Sequence, residues 1–586
     1  MKSAVILIDR PKPLRQGRLA FRKVSRVQED LDLKLVTVIS AILFLALLPV
    51  AFLFLSGYGG HDFVLHVPTW IDLSDLWRAG QFSLGWAPGA SFRLGEPTFC
   101  YYPPISVAIG AGLTMLLPLL LVPSAFVWLT FTLSGISMYF ASADFVAPAN
   151  RWKTAVLYMV SPYLITTSLV RFAAAEALTL AWLPLLILFF HRSVTSAKLH
   201  DAICLGGFLA LTWLTNVPAS IVLFYTLGTV AILHAIRGKS LKPALTLFFA
   251  NAVGAALAAF YLVPTWVEQG WIDKASVLRF DYSLFFLFVS LSEGPFHLFR
   301  TSLTEIACIG TGLIVLYIWA IWSKKKTKNE TADDTLLTWA GITGACLAFQ
   351  LSWSAPLWKL LPQLLFAGFP YRFLAPIGVV LPLTLLSGAV ARKWRIVGYL
   401  AAAFMVLIPL LEYQPLFNFP VGFERAAHQW RQFGYRSWPE FTPAGAPNLR
   451  GPEQLPPASI ADPAANPECS VQLISTQPNS TVLQTNAVRP CQIQVATFFY
   501  PYWQAIDETG THLATEKNRD GLLLLTAPAG NHSIRLEFHA SSLPRAMSQA
   551  ISIAALLLTM FLIPGKFSWQ KPRQIRLPLS NRADSR

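Results

Sequence analysis

Charge is scarce in this chain. Asp, Glu, Lys and Arg make up 13% of its 586 residues, about half the ~25% usual in a soluble protein. Cysteine is scarcer, with six residues, and none stands in a CxxC pair or at a Cys/His metal spacing. No long internal repeat or low-complexity tract is present. These absences exclude a soluble globular enzyme, a disordered protein, a coiled coil and a zinc module. What fills the chain instead is apolar: 54% hydrophobic residues, with Phe 41 and Trp 19. Apolar runs long enough to cross a ~30 Å hydrocarbon core recur along its length. The sequence is that of a polytopic membrane protein.

The net charge is +15, and its placement matters more than its size. Lys2, Arg10, Lys12, Arg15, Arg18, Arg22, Lys23 and Arg26 crowd residues 1–32, and the tail 565–586 is basic too. Other basic residues fall in short loops: Arg151–Lys153, Arg192–Lys198, Arg237–Lys242, Lys324–Lys328 and Arg392–Arg395. Basic residues in short loops mark the cytoplasmic side, so the N-terminus reads as a cytoplasmic flank and no nucleic acid is expected. The run that follows is too long for a cleavable signal and lacks a small-residue cleavage site.

Candidate spans are roughly 33–55, 122–143, 153–170, 173–190, 201–218, 219–236, 243–263, 303–322, 335–353, 372–391, 395–412 and 546–564. The apolar run 104–121 reads as re-entrant or interfacial, because a crossing there would put basic loops on both sides. The expected fold is mainly α: a polytopic membrane bundle of about 12 transmembrane helices, with both termini cytoplasmic. The transmembrane domain covers 33–412, with an outer loop at 57–103, and a last helix spans 546–564.

Between Tyr413 and Arg545 lies a block of near-balanced charge, expected outside the membrane. Its first part, 413–468, is rich in Pro, Ala and Gly and reads as irregular linker. Its second part, 469–545, alternates with period two, as in Ile493–Val495 and Ile534–Leu536–Phe538, between turn signals. This predicts a small extracytoplasmic β-sandwich before the last helix. Cys469 and Cys491 share it and are a disulfide candidate on an oxidising side, with two unpaired thiols as the alternative.

Candidate chemistry gathers at the outer boundary. His61, Asp62 and His66 open the first outer loop. Asp62 and His66 are four apart and would share a helix face. A carboxylate beside imidazoles suits a general base or a metal site, while an interface-anchoring loop is the plain alternative. Tyr101 and Tyr102 follow in GEPTFCYYPP; they could anchor in the interface or stack on a sugar. Arg171 and Glu176 stand between two apolar runs, where charges pair with each other or face a cavity. Asn216, Glu268, Tyr371 and Arg372 also fall at outer span ends. An arginine fork at a helix start suits phosphate. A base, two arginines, acids and aromatics on one face fit a lipid-phosphate substrate.

In order, HDFVLH, YYPP, R-x4-E before a span, LTN, FYLVP-x3-E and YRFL resemble the bacterial 6-pyruvoyl-tetrahydropterin synthase-related membrane proteins. The HD-containing outer loop followed by YYPP also resembles the GT-C superfamily of membrane glycosyltransferases. PYWQAIDETG with PAGNHSIRLEF resembles the outer β-domain of related proteins. The resemblance implies transfer of a sugar from a polyprenyl-phosphate donor to an acceptor of unassigned kind, on the outer face of a bacterial plasma membrane. It makes Asp62 the catalytic base with His66 assisting, and Arg372 and Arg171 the phosphate ligands. Tyr101, Tyr102, His61, Glu176, Asn216, Glu268 and Tyr371 are the further substrate-binding candidates. Many GT-C members carry two adjacent acids where this chain has His61 and Asp62, so the pattern leaves the requirement for a divalent metal open and makes no cofactor certain. A pterin synthase's histidine triad is missing. A transporter or flippase of a lipid-linked glycan, and a non-catalytic scaffold in envelope assembly, are the competing readings.

Overall fold

The computed structural model describes residues 34–563, except 57–58, 83–84, 275, 277–280, 290–296, 324–329, 388–391, 413–420, 448, 450–454 and 465. The basic segments 1–32 and 565–586, and the basic loop at Lys324–Lys328, lie outside the described residues.

Two folding regimes divide the chain. From Lys34 to Glu412 it is helical, because long apolar runs in a membrane must bond their backbone groups internally. From Ala458 to Phe538 it is strand, where apolar and polar residues alternate.

The principal helices are α1 (Lys34–Ala51), α2 (Phe63–Arg78), α3 (Pro104–Leu116), α4 (Val122–Ala141), α5 (Arg151–Met159), α6 (Ala174–Ser196), α7 (Leu199–Trp213) and α8 (Val217–Gly238). They continue as α9 (Lys242–Leu257), α10 (Ala259–Val267), α11 (His297–Ser323), α12 (Glu330–Gln350), α13 (Leu374–Leu386), α14 (Arg392–Glu412), α15 (Phe423–Phe433) and α16 (Leu543–Leu562). Among the described residues, five helices are long and apolar enough to cross a membrane. The count is six if α9 and α10, bent by 81° where they meet, form one span.

The expected twelve crossings are therefore not reached by length and composition. The run expected as one span over 153–170 is broken. α5 stops at Met159, a short helix follows at Pro162–Ile165, and Thr166–Val170 is a π-helical turn. Pro162 explains the first break, since proline cannot complete the helix ladder. The runs expected at 201–218 and 372–391 are shorter apolar helices, α7 and the stretch Pro370–Leu386. The apolar run after Pro103 is α3, also short, and it packs on α2.

The β-domain is a sandwich of two antiparallel sheets. One has strand order β1 (Ala458–Ile460), β4 (Cys491–Phe498), β8 (Leu522–Ala527), β7 (Thr515–Lys517). The other runs β2 (Cys469–Gln477), β3 (Ser480–Ala487), β9 (Gly530–Phe538), β5 (Trp503–Ile506), β6 (His512–Leu513). Leu483, Ile493, Leu523, Ile534 and Leu536 fill the space between them. Cys469 and Cys491 are disulfide-bonded. The segment expected as irregular linker carries α15 and the first strand, β1. α15 is strongly two-faced, burying Phe423 and Ala427 and exposing its charges, and it packs against α2.

Candidate functional site

The loop that enters α2 is seated on the turn before α6. Gly60 lies so close to that turn that a Cβ would sit 2.6 Å from the carbonyl carbon of Arg171 and 2.7 Å from the Phe172 nitrogen. Only glycine allows this approach. The Asp62 N–H then donates to the Arg171 carbonyl at 2.7 Å. Phe172 takes a left-handed backbone, φ 54°, and its ring packs on Phe63. The π-helical turn Thr166–Val170 and this strained residue together aim Arg171 back towards the loop.

Side chains complete the arrangement. The Asp62 carboxylate meets His61 Nδ1 at 2.7 Å and lies 3.7 Å from an Arg171 nitrogen. Arg171 donates to Glu176 Oε2 at 3.0 Å, and Arg372 donates to the same oxygen at 3.1 Å. Tyr163 donates to the other Glu176 oxygen, and Arg372 also donates to the Ala367 carbonyl. Both guanidiniums lie over aromatic faces, Arg171 5.3 Å from Tyr371 and Arg372 4.9 Å from Phe369, which favours the cations. Burial pushes the Asp62 carboxyl up, but the His61 hydrogen bond and the Arg171 charge outweigh it and hold it below its ordinary value. The same bond to Asp62 raises His61.

One turn along α2, His66 is only 4% exposed, and among the described residues its Nδ1 has no hydrogen-bond partner. Burial lowers it to about 4, so the ring is neutral near pH 7. Tyr102 and Trp438 stack on each other 4.6 Å apart and stand edge-on to His66. Trp438 belongs to a strap that leaves α15 and crosses α2 and the loop that follows it. The strap is tied down by Arg431 on Asp75 (3.1 Å), Tyr435 on Asp72 (3.1 Å) and Thr442 on Glu96 (3.1 Å). It also brings Glu440 within electrostatic reach of Arg372 and Asp62.

The predicted residues thus separate into groups. His61, Asp62, His66, Tyr102, Arg171, Glu176, Tyr371 and Arg372 converge. Tyr101 and Glu268 do not. The Tyr101 hydroxyl donates to the Glu268 carbonyl at 2.7 Å, and the Glu268 carboxylate takes Arg545 at 2.6 and 2.9 Å and Tyr502 at 2.6 Å. That cluster joins the β-domain and α16 to the helical part. Asn216 caps α8, accepting from Ala219 N at 2.8 Å. Tyr163, Trp438 and Glu440 went unpredicted. Tyr163 hides in an apolar run, and the other two sit in the segment taken for linker. Among the described residues, no three His, Cys, Asp or Glu side chains are placed to hold a metal ion. Beside Asp62 stand His61 and the Arg171 guanidinium, with Glu440 in electrostatic reach, a set dominated by pairing to arginine.

Residues 99–419 match the family model described as the 6-pyruvoyl-tetrahydropterin synthase related domain, a membrane protein. That is more than half of the chain. The chain belongs to this family. In this member of the 6-pyruvoyl-tetrahydropterin synthase-related membrane proteins, the matched region holds Tyr102, Arg171, Glu176, Tyr371 and Arg372, while Asp62 and Trp438 lie outside it. No curated protein matches the chain. Among solved structures it is similar to the Archaeoglobus fulgidus oligosaccharyltransferase in its apo form, with 13% identity and a TM-score of 0.41. It is also similar to AglB of the same organism in complex with an inhibitory peptide and a dolichol-phosphate, with 13% identity and a TM-score of 0.39. Each likeness covers 71% of this chain and 61% of the other.

Proposed function

We propose that this protein is a GT-C-type glycosyltransferase of about twelve crossings in a bacterial plasma membrane. On this reading both termini are cytoplasmic and the β-domain is extracytoplasmic. The enzyme moves a sugar from a polyprenyl-phosphate donor to an acceptor hydroxyl on the outer face. The observation that carries this reading is the sharing of one carboxylate, Glu176, by two guanidiniums, Arg171 and Arg372, beside the ionised Asp62. Two arginines on one carboxylate oxygen, with Asp62 standing off at 3.7 Å, keep N–H donors available for a phosphate.

The acceptor hydroxyl lies against Asp62, which takes its proton as the oxygen attacks the anomeric carbon. The bond from that carbon to the phosphate oxygen breaks, and the electron pair leaves on the phosphate, stabilised by Arg372 and Arg171. His66, neutral and with Nδ1 unpartnered, accepts a hydrogen bond from the acceptor. The Tyr102–Trp438 pair offers an aromatic face to a sugar ring.

The test uses purified protein, its Asp62→Asn form, radiolabelled polyprenyl-phosphate sugars and a membrane extract as acceptor pool. Transfer by wild type alone supports the reading. No transfer by folded, donor-binding wild type ends it. The broken stretch Arg151–Val170 and the bent pair α9–α10 favour a second reading, a flippase for a lipid-linked glycan, since such helices accompany transport sites. Movement of a labelled lipid-linked sugar across proteoliposomes, unaffected by Asp62→Asn, would select it.

A further inference from the structure

Helix α16 leans on the bundle at its outer end and stands away from it further down. The Ser552 hydroxyl donates to the Ala256 carbonyl at 3.1 Å and accepts from the Phe260 N–H at 2.9 Å, which pins α16 to the bend between α9 and α10. Beyond that point α16 leaves a slot of about 660 Å³ against α7, walled by Cys204, Gly207 and Leu211 on one side and Leu556, Thr559 and Ile563 on the other. A Cβ at Gly207 would meet nothing within 4 Å. From Ser552 to Ile563 the slot runs about 16 Å at the helical rise, close to one leaflet of a ~30 Å hydrocarbon core.

The two ends of the slot differ in charge. At the outer end the cation, Arg545, is consumed by Glu268. The other end is basic. α7 and α9 run side by side, with Gly206 against Val253 and Gly254 against Leu209. Their starts, Lys198 and Lys242, therefore lie at one level, five residues or about 7 Å along α7 beyond Ile203, which still lines the slot. Lys198, Lys239 and Lys242 are exposed, and none forms an ion pair among the described residues. Asp201, three residues along the chain from Lys198, is buried and contacts Ser196 and His200, and Asp333 and Asp334 pair with Arg237.

We infer that this slot binds one hydrocarbon chain of an anionic phospholipid, with its phosphate on Lys198 and Lys242, and that the lipid packs α16 onto the bundle. The site lies apart from Asp62, Arg171 and Arg372 and does not rest on glycosyl transfer. An apolar slot opening on lipid is filled by hydrocarbon at no desolvation cost, and the lysines select a negative headgroup. A polyprenyl-phosphate donor is disfavoured here, because its phosphate belongs at the other end, where Arg545 is already neutralised.

The full chain would be purified in detergent and its bound lipid measured by native mass spectrometry. The probes are dioleoyl phosphatidylglycerol, dioleoyl phosphatidylcholine and undecaprenyl phosphate. Wild type should prefer phosphatidylglycerol over phosphatidylcholine by about tenfold. Gly207→Leu and Gly207→Trp, which fill the slot, should lose that lipid. Lys198→Gln with Lys242→Gln should erase the preference while still binding a chain. These lysines are exposed, so the pair of substitutions serves if the glycine variants fail to fold. Equal retention of both phospholipids by wild type, unchanged binding in folded Gly207→Trp, or displacement of phosphatidylglycerol by undecaprenyl phosphate would each overturn the inference.

Discussion

Glu268 meets one arginine and Glu176 meets two. Both acids are buried, and both stand among tyrosines. Glu268 has both oxygens on Arg545, a further bond from Tyr502, and no charge left over. Its arginine sits at the start of α16 and its tyrosine in the β-domain, so the cluster is a joint. Glu176 is outnumbered. Arg171 and Arg372 share one of its oxygens, and the acid that balances them, Asp62, stands off at 3.7 Å. A saturated pair holds parts together, whereas a pair with donors to spare can hold something else.

The comparison can be broken by substitution. The largest effect is expected from Asp62→Asn: sugar transfer falls by at least about 100-fold, the usual scale for a lost general base, while the unfolding temperature stays near wild type. Next, Glu268→Gln leaves the partly buried Arg545 without its counter-charge and should cost about 2–3 kcal/mol, below the scale for a fully buried pair. Unfolding of the detergent-purified protein would read this, together with earlier proteolytic release of the β-domain. If Glu268→Gln instead removes transfer and leaves stability alone, the two clusters have been assigned the wrong way round. Arg372→Lys keeps the charge but loses the fork, and a rise of about tenfold in donor KM is expected, equivalent to about 1.4 kcal/mol; an unchanged KM would argue against Arg372 as a phosphate ligand.

The smallest effect concerns the strap. Burial raises Asp72 to about 7 and Glu96 to about 7. An acid whose pKa is higher folded than unfolded keeps its proton longer in the folded state. Its contribution is full below about pH 4 and is lost as pH rises towards 7. Between about pH 5 and 7, Asp72→Asn with Glu96→Gln should therefore flatten the decline in thermal stability. His66, lowered to about 4, pulls the opposite way over about pH 4 to 6.5. The double variant should leave that rise uncovered, and a profile that does not change would remove these acids from the strap's energetics.

Much of this arrangement was legible in the sequence. Charges at the ends of apolar runs are conspicuous, and Asp62, Arg171, Glu176 and Arg372 were singled out for that reason. Period-two alternation marked the β-domain just as clearly. What linear sequence could not do was divide the boundary residues between two clusters. Glu268 and Tyr101 look like Glu176 and Tyr102 until their partners are known, and Arg545 and Tyr502 come from more than 230 residues downstream. Tyr163 was invisible because a tyrosine in an apolar run reads as core. Trp438 and Glu440 were lost in a Pro- and Gly-rich stretch whose order comes from contacts with the first outer loop. The span count was hard to read for another reason: hydropathy scores any apolar stretch alike and does not register a break such as Met159–Pro162.

The strap has a consequence for how this protein is made. Asp62, Arg171 and Arg372 leave the ribosome well before Tyr435, Trp438 and Glu440. During synthesis, which delivers N-terminal parts first, the carboxylate and its two arginines stand together without a roof. Trp438 can settle on Tyr102 only after the helices through α14 have been laid down. The chain finishes the cleft from its far side, so a truncated product ending before α15 would own the charges and lack the enclosure.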